Sequence, residues 1–162
     1  MGLMGSGKTH WGRLLAKRLG YRFIDLDEYI VTNEGCSISE IFNKHGEEHF
    51  RQLEAKYLRE IKYKNEMVLA LGGGTPCFHD NIAFVNTTGK SYYLKCSIEL
   101  ITQRTTGLTM RPLLQGKSQD ELKEFFSKQL LEREIYYKLA KHVINADSLN
   151  EDNLLLKFGY DK

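Results

Sequence analysis

The stretch Gly2-Leu3-Met4-Gly5-Ser6-Gly7-Lys8-Thr9 spells G-x-x-x-x-G-K-[ST], and it runs without a break into Lys8–Leu19, where Trp11, Leu14, Leu15 and Leu19 fall at helical spacing. Glycines at these positions let successive backbone N–H groups curl around a polyphosphate, and the helix N-terminus behind them adds partial positive charge. Lys8 is placed to reach the β and γ oxygens, and the Thr9 hydroxyl can ligate Mg²⁺. Such a loop binds a nucleoside triphosphate and normally hangs from the carboxyl end of a buried strand. Only Met1 precedes it here, so the usual first strand is expected to be missing from this chain. Either a few N-terminal residues are lacking or another element fills that slot. The first is favoured, because a hole at the centre of a sheet would cost more than the ~5–15 kcal/mol of net stability a domain possesses.

The 162 residues suit one domain, taken as 1–162, and the 41% hydrophobic content supports a real core. Twenty-three Lys+Arg against twenty-one Asp+Glu leave a formal charge of +2, which argues against a nucleic-acid partner and makes any cationic site local. No apolar run approaches the roughly 20 residues that span a bilayer, and no leader is expected. Cys36, Cys77 and Cys96 show no C-x-x-C spacing and read as free thiols, buried or half-buried, in a reducing cytosol. A cytoplasmic monomer is expected.

Gly20 supplies a stop for the first helix, and Tyr21–Ile24 reads as a short strand ending at Asp25-Leu26-Asp27. Ser37-Ile38-Ser39-Glu40 has the form of a capping box and opens a short helix that Gly46 interrupts. A longer helix follows, with Phe50, Leu53, Tyr57, Leu58 and Ile61 on one face. Met67–Leu71 is a continuous apolar run, suited to a strand buried on both sides, and it ends in Gly72-Gly73-Gly74. Ser91–Lys95 reads as the next strand, and Ser97 caps a helix to about Thr105. Ser118-Gln119-Asp120-Glu121 opens a long helix towards Leu139, His142–Asn145 is a last strand, and Leu149–Phe158 a terminal helix. Alternation of this kind predicts an α/β three-layer fold with a mainly parallel central sheet.

The acceptor of the phosphate is sought among the remaining polar groups. Period-2 geometry past a strand points Asp25 and Asp27 the same way, where paired acids hold Mg²⁺ through water and orient or deprotonate a hydroxyl; an Asp-rich helix-capping loop is the competing reading. Arg51 and Glu54, three apart on a helix, suit a guanidinium held in place by an acid, or an ordinary surface ion pair. Arg133 projects into an apolar arc of Leu122, Phe125, Phe126, Leu130 and Tyr137, which is costly unless it faces an anion, a wet cleft or a structural ion partner. Three consecutive glycines exceed what a tight turn needs and allow a ligand close to the backbone at a strand's carboxyl end. Arg111, in a loop bounded by Gly107 and Gly116, has the setting of a charge-supplying lid; an exposed loop arginine with no role is the competing reading.

Taken together these segments resemble the shikimate kinases, small P-loop kinases of the nucleoside-monophosphate-kinase type. The likeness runs through Gly5–Thr9, Phe23–Asp27, Ile41-Phe42 with Gly46-Glu47, Phe50-Arg51 with Glu54, Gly72–Gly74, Arg111-Pro112-Leu113-Leu114, and Arg133 with Tyr137. The resemblance implies transfer of the ATP γ-phosphate to the 3-hydroxyl of shikimate, towards chorismate and the aromatic amino acids. It implies ATP contacts at Gly5, Ser6, Gly7, Lys8, Thr9, His10, Arg104 and Arg111, with Mg²⁺ near Thr9 and Asp25. Shikimate contacts are implied at Asp27, Arg51, Gly72, Gly73, Gly74 and Arg133, and catalytic roles at Lys8, Asp27 and Arg111. Acceptor-binding helices would span about 37–64 and the lid about 105–118. Ile135 stands where the family commonly has proline, and no adenine contact is placed in 145–150. Two other readings are a P-loop kinase for another polyol acid, such as gluconate, and a nucleotide-binding module without turnover.

Overall fold

The computed structural model describes residues 1–61, 66–106 and 116–160. Its elements run α1 (Lys8–Leu19), β1 (Arg22–Asp25), α2 (Leu26–Glu34), α3 (Ile38–Ile61), β2 (Met67–Ala70), a 3₁₀ turn (Thr75–Cys77), α4 (Asn81–Thr88), β3 (Tyr92–Lys95), α5 (Ile98–Thr105), α6 (Gln119–Tyr137), β4 (His142–Asn145) and α7 (Leu154–Lys157). The expected caps are in place. Gly20, at φ 71°, turns its N–H back to Ala16 and Lys17 carbonyls, and Ser118 and Glu121 form a reciprocal capping box. Gly46 breaks the helical path of α3 at φ 80°, ψ 176°, so two helical segments meet at a kink.

Every strand pair is parallel, as alternation predicts, but the sheet comes in two halves. β1 pairs with β2, Phe23 opposite Val68, while β3 pairs with β4, Tyr93 opposite Val143. Between β2 and β3 lies an open cavity of about 460 Å³. Its position explains why the apolar run at 67–71 is not buried on both sides: Met67, Val68 and Leu69 are half-buried and line the cavity. The strand expected at 21–24 is shifted by one, and the terminal helix shrinks to the single turn Leu154–Lys157.

Helix α1 lies close on β1, and Gly12 permits it: a Cβ there would meet Phe23 Cε2 at 2.6 Å. Leu26, Ile30, Ile41, Ile61, Phe126, Tyr137 and Leu154 are fully buried and form the centre of the core. Cys96 is buried, and Cys36 and Cys77 are half-buried; all three thiols are free. Among the described residues no helix is long and apolar enough to cross a membrane.

Candidate active site

The phosphate loop has the local geometry its glycines allow. Gly5 and Gly7 take φ 83° and 94°, a region L side chains rarely adopt, and both are hemmed in. A Cβ on Gly5 would press on Thr105 and Ile101, and one on Gly7 would lie 2.9 Å from the Trp11 ring. The curl is closed by a Ser6 N–H bond to the Leu3 carbonyl, 3.2 Å, and by the Lys8 ammonium, which donates to the Gly2 and Leu3 carbonyls at 2.9 Å each. Ser6 Oγ is buried without a hydrogen-bond partner, so the loop carries one more polar group than its own fold satisfies. Arg104 leans on the loop from α5, with Nη1 3.5 Å from the Gly5 carbonyl and 3.9 Å from Cys96 Sγ. His10 is exposed on α1, its ring edge-on to Trp11 at 4.7 Å.

The Asp25-Leu26-Asp27 segment corrects the strand-geometry reading. Asp25 is the N-cap of α2 and its Oδ1 accepts the Asp27 N–H at 3.1 Å, so Asp27 sits in a first helical turn, not two places along a strand. The carboxylates therefore diverge in role. Asp25 Oδ2 accepts from the Thr9 hydroxyl at 2.8 Å, beside the start of α1. Asp27 Oδ1 would stand 2.8 Å from a Cβ placed on Gly72.

The triple glycine organises the other side. Each member meets a different polar group. A Cβ on Gly72 would also meet Glu54 Oε1 at 2.9 Å and Thr75 Oγ1 at 3.0 Å; on Gly73 it would lie 3.4 Å from Arg133 Nη1; on Gly74, 2.5 Å from Arg51 Nη1. Gly73 is also the junction with the phosphate loop, since the same added carbon would lie 3.6 Å from the Gly2 carbonyl oxygen and 3.7 Å from the Met4 nitrogen. Asp27, Arg51 and Arg133, from three separate helices, thus converge beside Lys8's loop.

Their supports explain why they stay there. Arg51 is 7% exposed and bonds Glu54 through Nη1 at 2.7 Å and Glu47 through Nη2 at 2.7 Å and Nε at 3.1 Å. Burial alone would lower its pKa, but Glu54 and Glu47 more than offset that and raise it, keeping the group charged. Glu54, 1% exposed, also accepts a short bond from the Thr75 hydroxyl. The Phe78 ring covers the guanidinium, 4.6 Å from its central carbon. On α6, the Tyr137 hydroxyl donates to the Gly73 carbonyl at 2.5 Å and holds the glycine turn one helical turn from Arg133.

Thr75, Cys77 and Phe78 were not singled out for this site by the sequence reading. They follow the glycines directly, Thr75–Cys77 as a 3₁₀ turn with Pro76 at its centre and Phe78 as its cap, and that proximity was the only signal. Burial pushes the Cys77 thiol up to about 11, although Arg133 and Arg51 pull the other way, so it stays protonated. Arg111 lies outside the described residues, as do 107–115 of the expected lid and 62–65 of the expected acceptor-binding segment.

A phosphate loop on a parallel α/β scaffold, bordered by one acid and two guanidiniums, defines a small-molecule P-loop kinase. A family model described as shikimate kinase matches residues 4–159, and the chain belongs to the shikimate kinase family. It is 40% identical to a shikimate kinase of Bacteroides thetaiotaomicron over 93% of this chain and 86% of that protein, and 40% identical to one of Azobacteroides pseudotrichonymphae over 96% and 92%. The solved shikimate kinase of B. thetaiotaomicron superposes with a TM-score of 0.92 at 37% identity, covering 98% of this chain and 93% of that one. The Acinetobacter baumannii shikimate kinase, solved in complex with shikimate, superposes with a TM-score of 0.86 at 35% identity over 97% and 87%.

Proposed function

We propose that this protein transfers the γ-phosphate of ATP to the 3-hydroxyl of shikimate. The observation that carries the reading is the Gly72-Gly73-Gly74 turn, where an acid and two guanidiniums face backbone that itself abuts the phosphate loop. Shikimate is a small ring acid bearing hydroxyls. Arg51 and Arg133 supply forked donors for its carboxylate, and the glycines let the ring lie against the main chain. Asp27 is placed to orient the attacking hydroxyl and take its proton.

On the nucleotide side, the loop amides and Lys8 grip the phosphates, and the Lys8 bonds to Gly2 and Leu3 carbonyls are exchanged for phosphate oxygens as ATP enters. Thr9 Oγ1 and Asp25 Oδ2 offer hard oxygen donors at the mouth of α1, and no cluster of three or more metal-ligating side chains occurs among the described residues. Such a sparse oxygen set suits Mg²⁺, which keeps most of its waters and substrate phosphates, and does not suit a protein-caged ion. When bound, Mg²⁺ neutralises charge on the transferring phosphoryl group. Arg111 would add charge from the lid, and Arg104, against Gly5, would flank the nucleotide.

A coupled assay with ATP, Mg²⁺ and a panel of hydroxy acids tests this. Turnover is expected with shikimate and not with gluconate. Transfer to gluconate alone would reassign the acceptor, and no transfer to any acid would leave a nucleotide-binding module.

A further inference from the structure

We infer that His45 and His49 form a binding site for a divalent transition cation of the Zn²⁺ and Ni²⁺ kind, on the exposed side of α3. The two residues bracket the run His45-Gly46-Glu47-Glu48-His49, and their ring centroids lie 4.8 Å apart with planes at 47°. At a metal–nitrogen length of about 2.0–2.1 Å, two imidazoles on one ion hold their ring centres about 4.5–5.2 Å apart, from a right-angled to a tetrahedral arrangement. The spacing of this pair falls inside that interval with no movement of the backbone.

The ring nitrogens are open to a ligand. Among the described residues neither imidazole has a hydrogen bond or an ion pair; each has the other ring as its contact. The acids between them are engaged elsewhere. Glu47 accepts from Arg51, while Glu48 accepts from Gln52 at 3.3 Å and lies 3.6 Å from His79 Nε2. His45 is exposed and His49 half-buried, and nothing lies within 4 Å of where a Cβ on Gly46 would stand, so solvent reaches the pair. Two rings this close repel if both carry protons, and an ion that takes a lone pair from each replaces that repulsion with two bonds.

Donor chemistry fixes the class of ion. Imidazole suits Zn²⁺ and Ni²⁺, whereas Mg²⁺ takes oxygen ligands, so this pair is distinct in preference from the oxygens of Thr9 and Asp25. Waters complete the shell, because no cluster of three or more metal-ligating side chains occurs among the described residues. The position in the fold gives the ion a structural consequence. Gly46, at φ 80° and ψ 176°, interrupts α3 between the two ligands. An ion held by both rings closes a loop over that break and fastens the segment ahead of it to the one that carries Glu47 and Arg51.

The test titrates Ni²⁺ into the full, untagged chain by calorimetry, in buffer containing Mg²⁺. One Ni²⁺ per chain is expected, with affinity falling on the order of 10²-fold in His45→Gln, where the second imidazole no longer binds from a tethered position. His142→Gln, on β4, is expected to leave the affinity unchanged. At about a hundredfold excess over Kd, Ni²⁺ should raise the thermal midpoint of the parent chain by on the order of 5 °C and slow exchange of the 46–49 amides about tenfold. Neither change is expected in His45→Gln. The ring-proton signals of the parent chain keep the test valid if that variant fails to fold: paramagnetic Ni²⁺ should broaden His45 and His49 first. Equal affinity in the parent chain and His45→Gln, an equal loss in His142→Gln, or broadening of all five histidines at the same Ni²⁺ concentration would overturn the site and leave an adventitious ion only.

Discussion

Glu54 and Arg51 are bonded at 2.7 Å with both side chains withdrawn from solvent, and Glu54 ties the same guanidinium to the Gly72–Thr75 turn through the Thr75 hydroxyl. Removing one partner of a buried pair leaves an uncompensated charge. Glu54→Gln is expected to cost about 3–5 kcal/mol in denaturant unfolding. Glu47, whose side chain is 58% exposed, should matter far less: Glu47→Ala is expected to cost below about 1 kcal/mol. In variants that stay folded, KM for shikimate should rise more than KM for ATP. Equal costs for the two substitutions would show that Arg51 is held from elsewhere.

Gly74 provides a sharper probe of the same guanidinium. Its φ of −89° is open to alanine, so Gly74→Ala introduces no backbone strain, only a methyl 2.5 Å from Arg51 Nη1. Arg51 is pinned by two carboxylates and a ring, so the methyl must displace it from its seat. Shikimate affinity is expected to fall at least about tenfold, the worth of one charge-assisted hydrogen bond, with ATP affinity near normal in calorimetry. Unchanged shikimate binding would remove Arg51 from the acceptor pocket.

Arg133 should separate the two substrates. Its Nη1 faces Gly73, the residue that touches the phosphate loop. Arg133→Ala is expected to weaken shikimate binding about 10–100-fold while ATP binding changes little. Calorimetry showing the reverse would place this arginine on the nucleotide side of the junction.

A guanidinium closing over a transferring phosphoryl group acts on the transition state, so Arg111→Ala is expected to lower kcat on the order of 10³-fold with a smaller effect on KM. A near-normal steady-state rate would remove it from the mechanism.

The parts legible in the sequence were those whose chemistry is local. G-x-x-x-x-G-K-T, the Ser37 and Ser118 capping boxes, and the Gly20 and Gly46 breaks each act through neighbours within a few residues, and the structure has them where the spacing put them. Pairings between distant segments were less so. Arg51–Glu54, taken alone, read first as a surface ion pair, because burial by Gly74 and Phe78 depends on a turn about 20 residues away. Asp25-Leu26-Asp27 read as strand or cap because a carboxylate that accepts its own i+2 N–H leaves no period in the pattern. Helix α4 and the Thr75–Cys77 turn went unread: Asn81–Thr88 has apolar groups without a clean helical stripe, and its start at Asp80 has no side-chain cap.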